Sequence, residues 1–281
     1  MSSSPQGSES IGPTAHYTGH VWSRNGLSHP ALETGTGRLL FNSMRPTLAV
    51  TEAVTGLTLE GFLLGRHLLI DHLLAAAIDR GEVSQVLEVA CGLSPRGWRF
   101  AERYGERVTY VEADLPGMAA RKRRALERAG TLGSRHRVVE VDALSDDGPR
   151  SLSAVTEPLD PAGGLAIITE GLLSYLPREA VDGFWRRSAD VLAGFSHGVY
   201  LSDVHCESEN DGLMAQGFML MLSAFVRGKV EIHFADAPDA IAALEAAGFA
   251  RAELHNPADF ANVLDVDRRG VELVRVIEAT V

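Results

Sequence analysis

Two hydrophobic rhythms divide this chain. Between residues 58 and 79 apolar side chains recur at helical spacing, through Leu59, Phe62, Leu63, Leu69, Ile70, Leu73 and Leu74, until Gly81 breaks the pattern. That stripe predicts the longest helix of the chain. Beyond it, short apolar runs suited to buried strands alternate with amphipathic stretches. The pattern predicts a strand beginning at Val86, others over 108–111, 138–141, 165–169, 198–202, 249–254 and 271–277, and helices over 95–104, 115–129, 178–193 and 238–247. Strand and helix in regular alternation argue for an α/β fold, a doubly wound sheet with helices on both faces. Such sheets bind ligands at the C-terminal ends of their strands.

Both flanks depart from this rhythm. Residues 1–13 are rich in Ser, Gly and Pro and are expected to form a disordered tail, with a single domain over 14–281. Within it, 14–81 would be a helical cap, and aromatic and small residues mixed without period over 17–46 suggest short helices joined by turns. An apolar helix over 210–226, carrying Met214, Phe218, Met219, Leu222 and Phe225, interrupts the strands and reads as a lid within 205–230.

The first strand runs into a sharp turn, Ala90-Cys91-Gly92, followed by Ser94-Pro95, which is placed to open a helix. Small residues there let a ligand approach free backbone N–H groups. Ala90 stands where a dinucleotide fingerprint has its first glycine, and the chain has no GxxxxGK[ST] loop, so a phosphate cradle is missing. Acidic residues follow the later strands: Glu112, Asp142, Glu170 and Asp203. Glu112 lies 24 residues after Glu88, a distance suited to ribose hydroxyls, and Asp142 could accept the adenine amine. Adenosine without pyrophosphate points to S-adenosylmethionine. Arg66 sits inside the buried stripe of the long helix, so either an internal carboxylate or a ligand's carboxylate must satisfy it.

Composition narrows the partners. The 281 residues are 45% hydrophobic and 22% charged, with a formal net charge of −11, which disfavours nucleic acid. Only two cysteines, Cys91 and Cys206, are present, so a disulfide framework and a Cys-type zinc site are not suggested, and a reducing, cytoplasmic setting is expected. No apolar run approaches the ~20 residues of a membrane span, and His205-Cys206 lacks the spaced partners of a metal site. The sequence leaves the oligomeric state open, a homodimer included.

The strings LEVACGLSPRGWRF, YVEADLP followed by RKRRAL, VVEVDAL and ITEGLLSYLP, with VWSRNGLSHPAL before them, resemble the leucine carboxyl methyltransferase family. The likeness is to its bacterial branch of tetracenomycin-type O-methyltransferases, which form methyl esters on polyketide acids. It implies a Rossmann-like class I methyltransferase fold and S-adenosyl-L-methionine as cofactor. It further implies that Glu88, Ala90, Cys91 and Gly92 lie at the methionine part, Glu112 and Ala113 at the ribose, Asp142 and Ala143 at adenine, and Glu170 and Gly171 near the ammonium. Arg66 and Tyr175 would face the same space and orient an acceptor carboxylate, the small-molecule substrate. A carboxylate arrives ionised and needs no base; a phenol acceptor would need one, and Asp203 or His205 is nearest in sequence. A cyclase or isomerase that keeps the cofactor as a fixed charge is the alternative outside methyl transfer.

Overall fold

The computed structural model describes residues 6–209, 212, 217 and 231–281. Seven strands form one sheet in the order β3-β2-β1-β4-β5-β7-β6. They are β1 (Gln85–Val89), β2 (Thr109–Asp114), β3 (His136–Glu140), β4 (Leu165–Thr169), β5 (Gly198–Val204), β6 (Arg251–His255) and β7 (Arg275–Thr280). The first five are parallel, and β7 slots antiparallel between β5 and β6. The strand order reverses between β1 and β4, so their C-terminal ends flank the crevice where such sheets take ligands.

The reason for the two-sided cover is visible in the strands. Every residue of β1, β4 and β5 is buried, which one exposed face would forbid. Alternate residues feed two cores. Leu87, Val89, Val111 and Ile167 pack with Phe184 and Trp185 of α7 (Arg178–Leu192) and Leu244 of α8 (Ala237–Ala246). Val86, Tyr110, Ile168 and Leu201 pack with Leu69, Ile70 and Leu74 of α3 (Leu59–Asp79) and Phe100 of α4 (Arg96–Tyr104).

The long helix matches the sequence pattern, with Thr58 capping it by accepting the Gly61 N–H. At 21 residues and a mean hydropathy of 1.4 it is, contrary to the reading of the apolar runs, long and apolar enough to cross a membrane. Of its most apolar window 83% is buried inside the fold, as a core helix requires.

The N-terminal flank differs from expectation. Of the tail expected to be disordered over 1–13, residues 1–5 lie outside the described residues and 6–13 belong to α1 (Gln6–Arg24), and in place of short helices α2 (Gly35–Thr55) runs 21 residues, with Pro13 and Pro46 inside the two helices. Tyr17, Trp22, Phe41, Phe62 and Leu63 unite α1, α2 and α3 in a third core, which supplies the order that local periodicity did not show. Two further α-helices occur among the described residues: α5 (Pro116–Ala129), which follows β2, and the short α6 (Leu152–Thr156). The final strand starts later than expected, at Arg275, after a 3-10 turn over Val271–Leu273. The lid helix expected over 210–226 falls, but for Gly212 and Gly217, outside the described residues.

Candidate functional site

The turn after β1 takes the shape that its small residues allow. Ala90 and Gly92 both sit at positive φ, 54° and 49°, a region costly for any residue with a Cβ. Two bonds to β2 hold it: Cys91 N–H donates to Ala113 O across 3.1 Å, and Gly92 N–H donates to Asp114 Oδ2 across 2.7 Å. The other Asp114 oxygen accepts the Leu115 N–H at 2.7 Å. Cys91 is buried, and burial pushes its thiol well above the usual range, so it is an inert wall. Above the turn lies α1: a Cβ on Gly92 would stand 3.4 Å from Ala15, and Gly19 backs onto Leu93.

Beneath the turn, four elements pool their charges. Arg96, fully buried on the first turn of α4, donates to Asp71 Oδ1 of α3 (2.5 Å), Glu88 Oε1 of β1 (2.7 Å) and Glu170 Oε2 after β4 (2.6 Å). Arg99 donates to the second Asp71 oxygen. His67 Nδ1 also reaches Glu170, at 2.8 Å, under the ring of Trp22. Burial opposes the charge on Glu170, but His67 and Arg96 beside it hold the carboxyl well below its usual range.

Arg66 completes the cluster one turn away. Its Nη1 donates to Asp203 Oδ2 at 2.5 Å, and Asp203 Oδ1 accepts the Gly171 N–H at 2.6 Å. Internal carboxylates thus satisfy this arginine. Burial works against its charge, and Asp203 and Glu170 more than restore it. Arg66 Nε and Glu170 Oε1 face each other at 3.6 Å, both buried and both without a hydrogen bond. The Arg66 Nη2 lies against Gly171, 3.2 Å from where a Cβ would stand. Tyr175, in the 3-10 turn Leu173–Tyr175 after β4, is near enough to feel the Arg66 charge, and burial pushes its hydroxyl up, so it remains a proton donor.

Several expected cofactor residues are structural instead. Glu88 is spent on Arg96 and on the Tyr110 hydroxyl, which donates to it at 2.9 Å. Glu112 is not at a strand end, because β2 runs on to Asp114. It is fully buried, paired with Lys122 of α5 at 2.8 Å and with His136 at 3.3 Å, so ribose cannot reach it. Asp114, two residues on and half-buried, is the acidic residue that stands at the end of β2. The acidic residue nearest the strand's end was the usable signal in EADLP. Ala113 contributes its carbonyl to the turn, as noted. Asp142 remains half-buried beyond β3, one oxygen accepting the Leu144 N–H at 3.1 Å, while Arg187 holds the Ala143 carbonyl at 3.0 Å. Sequence patterning also passed over Arg96, which follows Ser94-Pro95, and His67, beside Arg66, since neither stands at a strand end.

These residues fit a cationic adenosine ligand. Three guanidinium groups, Arg66, Arg96 and Arg99, and the His67 ring interleave with four carboxylates, Asp71, Glu88, Glu170 and Asp203, and of these carboxylates Glu170 keeps one oxygen without a hydrogen bond. The orphaned Glu170 Oε1 would accept an ammonium, and Asp114 could accept ribose hydroxyls. Among the described residues, Glu253, His255 and Glu278 on β6 and β7 also gather within metal-ligand spacing, away from this crevice.

The comparisons agree with this geometry. The family model described as leucine carboxyl methyltransferase matches residues 36–188, more than half of the chain. A Rhodococcus jostii protein named as a candidate S-adenosyl-L-methionine-dependent methyltransferase is 34% identical over 139 residues, 49% of this chain and 45% of the relative. A similarly named Mycolicibacterium smegmatis protein is 35% identical over 163 residues, 57% of this chain and 51% of its own length. The chain therefore spans about half of these relatives. A Thermobifida fusca structure described as a candidate methyltransferase superposes with a TM-score of 0.64 at 14% identity, covering 98% of this chain and 97% of its own. A Streptomyces avermitilis structure does so at 0.61 and 12%, covering 95% and 96%. At these identities the likeness is one of fold, and the fold is the expected Rossmann-like class I methyltransferase sheet.

Proposed function

This chain belongs to the leucine carboxyl methyltransferase family, and from that premise we propose that it is an S-adenosylmethionine-dependent O-methyltransferase acting on a small, polyketide-like metabolite. One observation carries the reading. At the switch point between β1 and β4, a buried charge cluster holds Glu170 with Oε1 free of any hydrogen bond, beside a glycine turn pinned by Asp114. An ammonium would supply the donor that this oxygen lacks.

S-adenosylmethionine supplies a methyl group already activated by the charge on sulfur. The protein's part is then positional: to hold donor and acceptor oxygen in line and exclude water. Glu170 would accept the ammonium, Asp114 the ribose and Asp142 the adenine amine. Arg66 has a different part from the one expected of it. With Nη1 on Asp203 and Nε facing Glu170, it fixes the floor of the site, and only Nη2 beside Gly171 remains to meet a ligand. The likeness to enzymes of polyketide acids keeps a carboxylate among the acceptors to test.

Calorimetry with S-adenosylhomocysteine, followed by mass analysis of turnover on paired aromatic acids and phenols, tests the reading. Binding and a product heavier by one methylene are expected. Absence of binding would overturn it, and a converted acceptor beside unconsumed cofactor would replace it with the cyclase or isomerase reading.

A further inference from the structure

We infer that His205 is the general base of the acceptor site and that the acceptor is an acidic hydroxyl, a phenol or an enol. This inference rests on the O-methyltransferase reading above.

Two candidates for a base stand at the end of β5, and their surroundings separate them. Asp203 is the poorer base, because its carboxylate is ion-paired with the Arg66 guanidinium and also accepts the Gly171 N–H, and both contacts favour its keeping the charge. His205, two residues on, is buried and lies parallel to the ring of Phe62, centroids 5.6 Å apart at 13°. The Arg66 guanidinium sits 5.2 Å from the centroid of that same ring. His205 therefore belongs to the same packed group as the Arg66, Asp203 and Gly171 frame.

Its tautomer follows from its one hydrogen bond. Nδ1 is 3.2 Å from Leu273 O, and a carbonyl can only accept, so Nδ1 carries the proton. The neutral ring then presents Nε2 as a bare lone pair, with no hydrogen bond to it among the described residues. Burial lowers the pKa of the ring and keeps it neutral, while Asp203, Arg66 and Glu209 are the charged groups that act on it. Asp203 and Glu209 favour the imidazolium and Arg66 opposes it.

The acceptor class follows from what a base is for. A carboxylate, with an ordinary pKa of about 4, arrives ionised and has no proton to give, whereas a phenol near 10 must lose one. Arg66 is ion-paired with Asp203, which leaves a carboxylate acceptor only its Nη2. As the acceptor oxygen bonds to the methyl carbon, its proton passes to His205 Nε2. The carbon–sulfur bond breaks, its electron pair stays on sulfur, and a neutral thioether leaves. The imidazolium, flanked by Asp203 and Glu209, then returns its proton to water.

The test uses the full chain with saturating S-adenosylmethionine, a phenol and a matched aryl carboxylic acid, comparing wild type with His205→Asn. Asparagine keeps a donor for Leu273 O and deletes Nε2. Wild type should methylate the phenol, with kcat/KM rising tenfold per pH unit until the histidine is deprotonated. His205→Asn should lose about a hundred- to ten-thousand-fold in kcat on the phenol. Its residual rate should rise toward the phenol's own ionisation, and its affinity for S-adenosylhomocysteine should stay within about threefold. Methylation of the acid alone, or a His205→Asn pH profile equal to wild type, would overturn the inference and leave the methyltransferase reading intact. The wild-type acceptor preference and pH profile decide the matter even where the variant folds poorly. Loss of cofactor binding in wild type would overturn the reading beneath it, and this inference with it.

Discussion

Arg96 Nη2 donates to Glu170 Oε2 across 2.6 Å, joining the first turn of α4 to the end of β4 over a separation of 74 residues. The same guanidinium holds Asp71 and Glu88, so one side chain ties three segments to the helix that opens the cofactor turn. Removing it should strand three buried carboxylates. Arg96→Met is expected to lose about 3–5 kcal/mol of stability by urea unfolding. Arg96→Lys should recover little, because an ammonium cannot span partners arranged around a planar fork.

Glu170 compensates Arg66 and Arg96 and also faces the expected ammonium. Glu170→Gln keeps its shape and removes its charge. Its affinity for S-adenosylhomocysteine should fall about 10- to 100-fold by calorimetry, the magnitude of one hydrogen bond to a charged group. An unchanged affinity would remove Glu170 from the site.

Stability should depend on acid in a defined sense. Glu170, Asp71 and Glu112 are held below their usual pKa by the cations beside them, against the effect of burial. Each therefore stabilises the fold fully above its unfolded value of about 4 and loses that contribution as pH falls below it. Asp114, raised by burial, runs the other way and regains a part. Urea midpoints should be flat above about pH 7 and begin to fall near pH 6.5, where His205 and His16, lowered by burial, resist the proton that the unfolded chain takes up. They should decline steeply below about pH 5, and Glu170→Gln should flatten that steep part.

The Glu112–Lys122 pair offers a cleaner cycle, since both side chains are fully buried. Lys122→Met alone should cost about 3–5 kcal/mol by leaving a buried carboxylate against His136 only. Glu112→Leu combined with Lys122→Met should recover most of that loss. Additive losses in the double variant would show that packing, not charge, sets the cost.

Ala90 occupies a left-handed position that costs an L residue about 1–2 kcal/mol, and glycine would relieve it while gaining freedom in the unfolded chain. The two effects oppose each other. Ala90→Gly should shift stability by less than about 1 kcal/mol in thermal unfolding.

The alternation of short apolar runs with amphipathic stretches was enough to establish the doubly wound sheet, the long helix α3 and the position of the turn at Gly92. Those features depend on which neighbours in sequence share a face, and periodicity reports that directly. It also showed that Arg66 must be satisfied from within the fold or by a ligand. The choice between those two lay in Asp203, 137 residues away, and only the packing of α3 against the end of β5 made it.

Glu112 shows the same division on a smaller scale. The apolar run stops at Val111, so the strand was read as ending there. Its backbone pairing continues through Asp114, and Glu112 aligns with Glu88 on the next strand, on the buried side. Lys122 makes that burial tolerable, and a cation supplied from another helix is invisible to a pattern read along one strand. The order of α1 and α2 likewise comes from a core shared with α3. Local sequence determined where the chain turns and which faces are apolar; the tertiary structure decided which charges meet, because that depends on contacts between residues far apart along the chain.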